Sequence, residues 1–165
     1  MKRERTAYET DPVENIGEAI VALTHAYNRL QDALHAGPAK WAVFGENLRA
    51  EINKPVAING KNGLQISMYE IGIAHAPDMH GNYLGRLGVN GEKLNRALEE
   101  RTDELQTLLA GEDDGLLPRL CRIIYTFKQK NAPDNDAPHL HWDTVYPPLL
   151  RFNNECRRLQ AFWWQ

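Results

Sequence analysis

The chain has 165 residues, 42% of them hydrophobic and 25% charged, with a formal net charge of −3. That length suits one domain with a substantial core, and the mixture is ordinary for a globular protein. The balance argues against nonspecific polyanion binding, and no apolar run is long enough to cross a bilayer.

Charge is unevenly spread. Residues 1–114 carry twelve Lys/Arg against eighteen Asp/Glu, whereas residues 115–165 carry seven against four. A modest basic face is therefore expected in the C-terminal third, around Arg119, Arg122, Lys128, Lys130, Arg151, Arg157 and Arg158. The start, Met1-Lys2-Arg3-Glu4-Arg5, is charged and lacks an apolar stretch, so no secretory signal is expected on this chain. Cys121 and Cys156 fall on apolar helical stripes. They predict two buried free thiols, as in a cytoplasmic protein.

Residues 1–10 are polar and predict a loose segment ahead of a single helical domain over 11–165. Asp11-Pro12 offers a helix cap followed by a first-turn proline. Val13, Ile16, Ile20, Leu23, Tyr27, Leu30 and Leu34 then step by three and four, which is one helical stripe. Ala19, Ala22, Ala26 and Ala33 run beside it, so this helix is expected to be central and covered on two sides. Gly37-Pro38 ends it. A second helix carries Trp41, Phe44, Leu48 and Ile52 and stops before Lys54-Pro55.

The next forty residues differ. Asn59-Gly60 and Asn62-Gly63 are turn dipeptides. Leu64, Ile66 and Met68 alternate, as do Ile71 and Ile73 after a one-residue shift, which favours a short bulged strand or hairpin over a helix. Residues 75–91, with Gly81, Gly85, Gly88 and Gly91, predict a long loop, and long loops are often functional. A third helix is expected from Asn90 through Leu94, Leu98, Leu105, Leu108 and Leu109, until Gly111. A fourth runs from Leu116 to Lys130 on Leu117, Leu120, Ile124 and Phe127. The last begins near Pro147-Pro148, and its stripe of Val145, Leu149, Phe152, Cys156, Leu159 and Trp163 continues to the terminal tryptophans. The fold expected is mainly α: a helical bundle of about five helices with a small β hairpin or irregular insertion around residues 55–90.

Three groups of residues could carry chemistry. His139, His141 and Asp143 would line one side of an extended strand and could ligate a metal. The run His139-Leu140-His141-Trp142-Asp143 resembles part of the HxHxDH motif of metallo-β-lactamase-type hydrolases. Thr144 replaces that motif's last His, and the chain is too short and helical for that fold. Arg29 followed by His35 resembles the Rx4–6H motif of HEPN-type ribonucleases, helical bundles that often dimerise. The resemblance implies metal-independent RNA cleavage, with Arg29 holding the phosphate and His35 moving a proton. Glu99, Glu100, Asp103 and Glu104 place carboxylate pairs on one helix face, as magnesium-dependent hydrolases do, but lack a matching set. A solvated surface accounts for each group more simply.

No phosphate loop, nucleophile elbow or cofactor motif is present in the sequence. The leading expectation is a non-catalytic interaction module: a small cytoplasmic subunit, inhibitor or adaptor. Its binding residues are expected to be Met79, His80, Tyr83 and Arg86 in the glycine-rich loop, with Trp164 at the aromatic end. The partner expected is a protein. The basic C-terminal third leaves room for nucleic acid, self-association is compatible, and no cofactor is expected.

Overall fold

The computed structural model describes residues 15–58, 63–77, 83–112, 114–133 and 141–163. Among them are six α-helices: α1 (Ile16–Ala36), α2 (Ala39–Asn53), α3 (Gly91–Glu100), α4 (Thr102–Ala110), α5 (Leu116–Asn131) and α6 (Trp142–Trp163). Four short strands lie between α2 and α3: β1 (Val56–Ala57), β2 (Gln65–Ile66), β3 (Ile73–Pro77) and β4 (Tyr83–Val89). The protein is mainly α with a small β insertion, as the hydrophobic periodicity predicts.

Helix α1 is the centre of the bundle. Its stripe of Ile20, Leu23, Tyr27, Leu30 and Leu34 is buried, and so are Ala19 and Ala26 beside it. It packs on α6, α2, α3 and β4. The start differs from the expected Asp11-Pro12. Asn15 is extended and its Oδ1 accepts from the Glu18 N–H at 3.1 Å, so the cap sits at Asn15. Asp11, Pro12 and Val13 lie outside the described residues.

Helix α2 buries Trp41, Phe44, Leu48 and Ile52. It runs antiparallel to α5: Phe44 stacks on Phe127 at 4.0 Å, while Glu51 at the other end pairs with Arg119 at 2.8 Å. Helix α6 buries Val145, Leu149, Phe152, Cys156 and Leu159, and Phe152 meets Tyr27 of α1 edge-to-face at 5.8 Å. Phe162 and Trp163 are half-buried against the core, so the helix stays docked to its last described turn. Cys156 is buried as expected, but Cys121 is only half-buried.

Three further expectations are corrected. The third helix breaks at Arg101 into α3 and α4, which raises the count from five to six. The Arg101 backbone leaves the helical region, and its guanidinium pairs with Glu104 in the first turn of α4. Helix α6 begins at Trp142 rather than Pro147-Pro148. Those prolines sit inside it and cannot donate to Asp143 and Thr144, but both of these are exposed, so water can take up their carbonyls.

The glycine-rich 75–91 stretch is the third correction. Much of it is a β hairpin, with His75 opposite Leu87 and Pro77 opposite Tyr83. Two extra residues on β4 make a bulge, and Gly85 supplies the positive φ of 75° there. Glycine at that density reads as loop, yet here it shapes a kinked strand. The preceding segment is mixed: β1 and β2 pair through Val56 and Ile66, and a 3₁₀ turn over Met68–Ile71 buries Met68 and Ile71.

Removing the chain after Gln160 should lower stability. Full burial of a Phe or Trp is worth about 3–5 kcal/mol against Ala, and half-buried Phe162 and Trp163 should each contribute a fraction of that. Urea unfolding that matches the intact chain would contradict the docking of this end. Ala26→Leu at a 2%-exposed site should cost about 1–3 kcal/mol by overpacking, again read from urea midpoints.

Candidate functional site

The β3–β4 hairpin is fastened to α1 by two side chains one turn apart. The Asn28 carboxamide donates to the Leu87 carbonyl at 2.9 Å and accepts from the Leu87 N–H at 2.7 Å. One side chain thus satisfies both outward-facing backbone groups of a strand residue. Asp32 then holds Arg86 through two hydrogen bonds, at 3.2 and 2.6 Å. Both members of that ion pair are about half exposed, so it contributes less than about 1 kcal/mol. The part-buried Asn28 bonds leave two orphaned groups if lost, at about 1–3 kcal/mol each at most, and dominate. Arg86, expected as an interface anchor, is therefore already engaged within the chain.

Below this clamp lies a buried polar node. Gln31 is 1% exposed, and its Nε2 donates to the Tyr27 hydroxyl at 2.9 Å and the Gly45 carbonyl at 2.8 Å. A Cβ on Gly45 would stand 2.7 Å from Gln31 Oε1, so α2 passes α1 here only because residue 45 lacks a side chain. Gln31 Oε1 itself finds no partner among the described residues, and the two buried ring nitrogens of His75 make no well-aligned hydrogen bond, although the Arg86 and Gly85 backbone lies close by. Burial lowers the His75 pKa below the usual histidine value, and the nearby Arg49 charge adds to this. The backbone of Arg86 and Gly85 and the Glu46 carboxylate offset part of it. Burial also pushes the Tyr27 phenol far up, so Tyr27 stays neutral.

The other expected site residues are dispersed. Arg29 lines a cleft of about 550 Å³ against α6, beside Pro148, Arg151 and Asn154. His35 turns toward α2, close to Gly45, with its Nδ1 2.8 Å from the Gln31 carbonyl. Within one chain the two face different helices. His141 has φ of 71° at the start of α6, and its ring meets Trp41 edge-on at 6.3 Å. Asp143 lies in the first turn of α6, where a negative charge suits the helix dipole. His139 is outside the described residues. No cluster of three metal-ligating side chains occurs among the described residues. The break at Arg101 splits the carboxylate face: Glu99 and Glu100 close α3, while Asp103 and Glu104 open α4. Met79, His80 and Trp164 also lie outside the described residues, and Tyr83 is placed only as the first residue of β4.

A surface that the sequence reading did not single out lies between α2 and α5. Phe44 and Phe127 stack to form the floor of a groove of about 360 Å³, extended by Ile123 and by Val43, which is 61% exposed. Its walls carry Lys40, Arg122 and Lys130, with Asn47 and Asn131, and among the described residues no carboxylate lines it. None of the three cations has an ion-pair partner among the described residues. The volume falls in the ordinary range of ligand-binding clefts, and an exposed apolar side chain beside three cations marks the face as a candidate docking surface.

Another groove, of about 560 Å³ between α1 and α3, has an apolar floor of Val21, Leu94 and Leu98 with Glu18 and Glu99 at its edge. Asn15, the first described residue, lies at one end of it.

Comparison with protein-family models, with curated proteins and with solved structures finds no match.

The depressed His75 pKa predicts a pH dependence of stability. The unfolded chain binds a proton near pH 6.5, and the folded chain resists it until lower pH. Stability from this group is therefore complete above about pH 6.5 and falls as pH drops toward the folded value. The stability of wild type minus that of His75→Gln should rise as pH increases toward about 6.5 and level off above it. A flat difference would contradict the buried neutral imidazole. Asn28→Ala should cost about 1–3 kcal/mol and speed amide exchange at Leu87, whereas Arg86→Ala should cost less than about 1 kcal/mol.

Proposed function

We propose that this chain is a non-catalytic protein-interaction module whose docking face is the α2–α5 groove. The observation that carries the reading is a groove lined by exposed Val43 and the almost fully buried Phe44 and Phe127, among three cations that lack ion-pair partners among the described residues. Arg122 and Lys130 belong to the basic C-terminal third, so the uneven charge of the sequence is concentrated partly at this groove. The hairpin has a supporting place in this reading, since Asn28 and Asp32 tie it to α1.

No helix among the described residues is long and apolar enough to cross a membrane. A cytoplasmic location accompanies the proposal, supported by the two free cysteines. The ribonuclease reading retains one supporting observation, the cleft that Arg29 shares with Arg151. Absence of RNA cleavage by the wild-type protein would remove that support.

Val43→Arg tests the proposal. The position is largely exposed, so the change should alter stability by no more than about 0.5 kcal/mol. It should nevertheless place a fourth cation and a long side chain over the floor. Affinity capture from a native lysate should lose the specific partner relative to wild type, with the melting temperature unchanged. Equal recovery by both proteins would move the interface elsewhere.

A further inference from the structure

We infer that the occupant of the α2–α5 groove is an acidic amphipathic helix bearing carboxylates about two turns apart on either side of an apolar pair. This rests on the reading of the groove as the docking face. The antiparallel packing of α2 and α5 fixes where the charges lie. The N-terminal end of α2 meets the C-terminal end of α5, because Trp41 and Phe44 both contact Phe127. Lys40 and Lys130 therefore share one end of the groove, and Arg122 lies toward the other, where Asn47 faces it from α2.

Eight residues separate Arg122 from Lys130, a rise of about 12 Å along α5. On a partner helix the carboxylates would be seven or eight residues apart. Residues at i and i+7 share a face with i+3 and i+4. The matching stripe is acid, two apolar residues at i+3 and i+4, then acid at i+7. The apolar pair seats on the Phe44–Phe127 floor beside Val43 and Ile123, and the two acids reach the two charged ends. Asn47 and Asn131 add amide groups that can donate to the partner's polar rim. A cationic or neutral helix of the same shape would leave three positive charges facing like charge or nothing.

The probes are two labelled peptides of roughly 14 residues, about four helical turns. One carries Glu-x-x-Leu-Leu-x-x-Glu at its centre, and the other carries Lys in place of both Glu. Their binding is measured by fluorescence anisotropy to wild type, to Val43→Arg and to a Lys40→Glu/Lys130→Glu double variant. All of these sites are at the surface, and matched melting temperatures verify the fold. The Glu peptide should bind wild type, weaken with added salt, and bind the double variant at least about tenfold more weakly, as loss of close charge pairs predicts. The Lys peptide should show the reverse preference.

Equal binding of both peptides to wild type, abolished by Val43→Arg, would overturn the acidic partner and leave the groove as the docking face. Binding of the Glu peptide that ignores both variants would overturn the groove as well. Failure of the Glu peptide to bind at millimolar concentration would overturn the acidic helix alone. Wild-type protein that self-associates, and becomes monomeric on Lys40→Glu/Lys130→Glu, would make a second copy the occupant and overturn the inference.

Discussion

Helix α1 must satisfy two unlike surfaces at once, and the rest of the structure depends on that. One side is apolar and takes α6, with Tyr27 against Phe152 at its centre. The other is polar. Asn28, Gln31, Asp32 and His35 fall within two turns and serve β4 and α2. A helix buried on several sides would ordinarily be apolar all round. Here Asn28 and Gln31 meet backbone groups that need partners, while Asp32 and His35 remain exposed to water. Asn28 completes β4, and Gln31 takes a carbonyl of α2.

That arrangement holds the insertion in place without a large sheet. A two-stranded hairpin is marginal by itself in water, so β3 and β4 need a surface to lie on. Ile73 and Leu87 contribute buried apolar area, and Asn28 sets the register. The node beneath is less well satisfied. Gln31 Oε1 is buried without a partner among the described residues, and the two buried His75 nitrogens make no well-aligned hydrogen bond; an ordered water commonly serves such groups.

The helices were legible because their signal is local. Trp41, Phe44, Leu48 and Ile52, or Val145 through Leu159, repeat with the helical period and face inward whatever lies opposite. The hairpin was half legible. Ile66 and Ile73 announce strands, but Gly85 and Gly88 disguise β4 as a loop, since glycine serves a bulge and a turn alike. The pairing of Asn28 with Leu87 spans 59 residues and has no periodic trace. The break at Arg101 leaves no mark in the sequence because the leucine stripe continues across it. The groove was illegible for another reason. Val43 and Arg122 lie off the main stripes and look like ordinary surface residues. Only the antiparallel packing of α2 on α5 brings them to one cleft.

The α2–α5 face therefore combines two properties that separate elements supply. The core fixes a stacked aromatic floor, and the uneven charge of the sequence surrounds it with cations. Amine footprinting reads the state of this face, by acylating lysines with a small reagent and locating the products by mass spectrometry. Lys40 and Lys130 should react readily in the free protein and become protected with the Glu-flanked peptide bound. Lys54, paired with Glu51, and Lys93, over the Tyr69 ring, lie outside the groove and should not change. Uniform protection, or protection at Lys54 and Lys93 with none at Lys40 and Lys130, would contradict docking at this face.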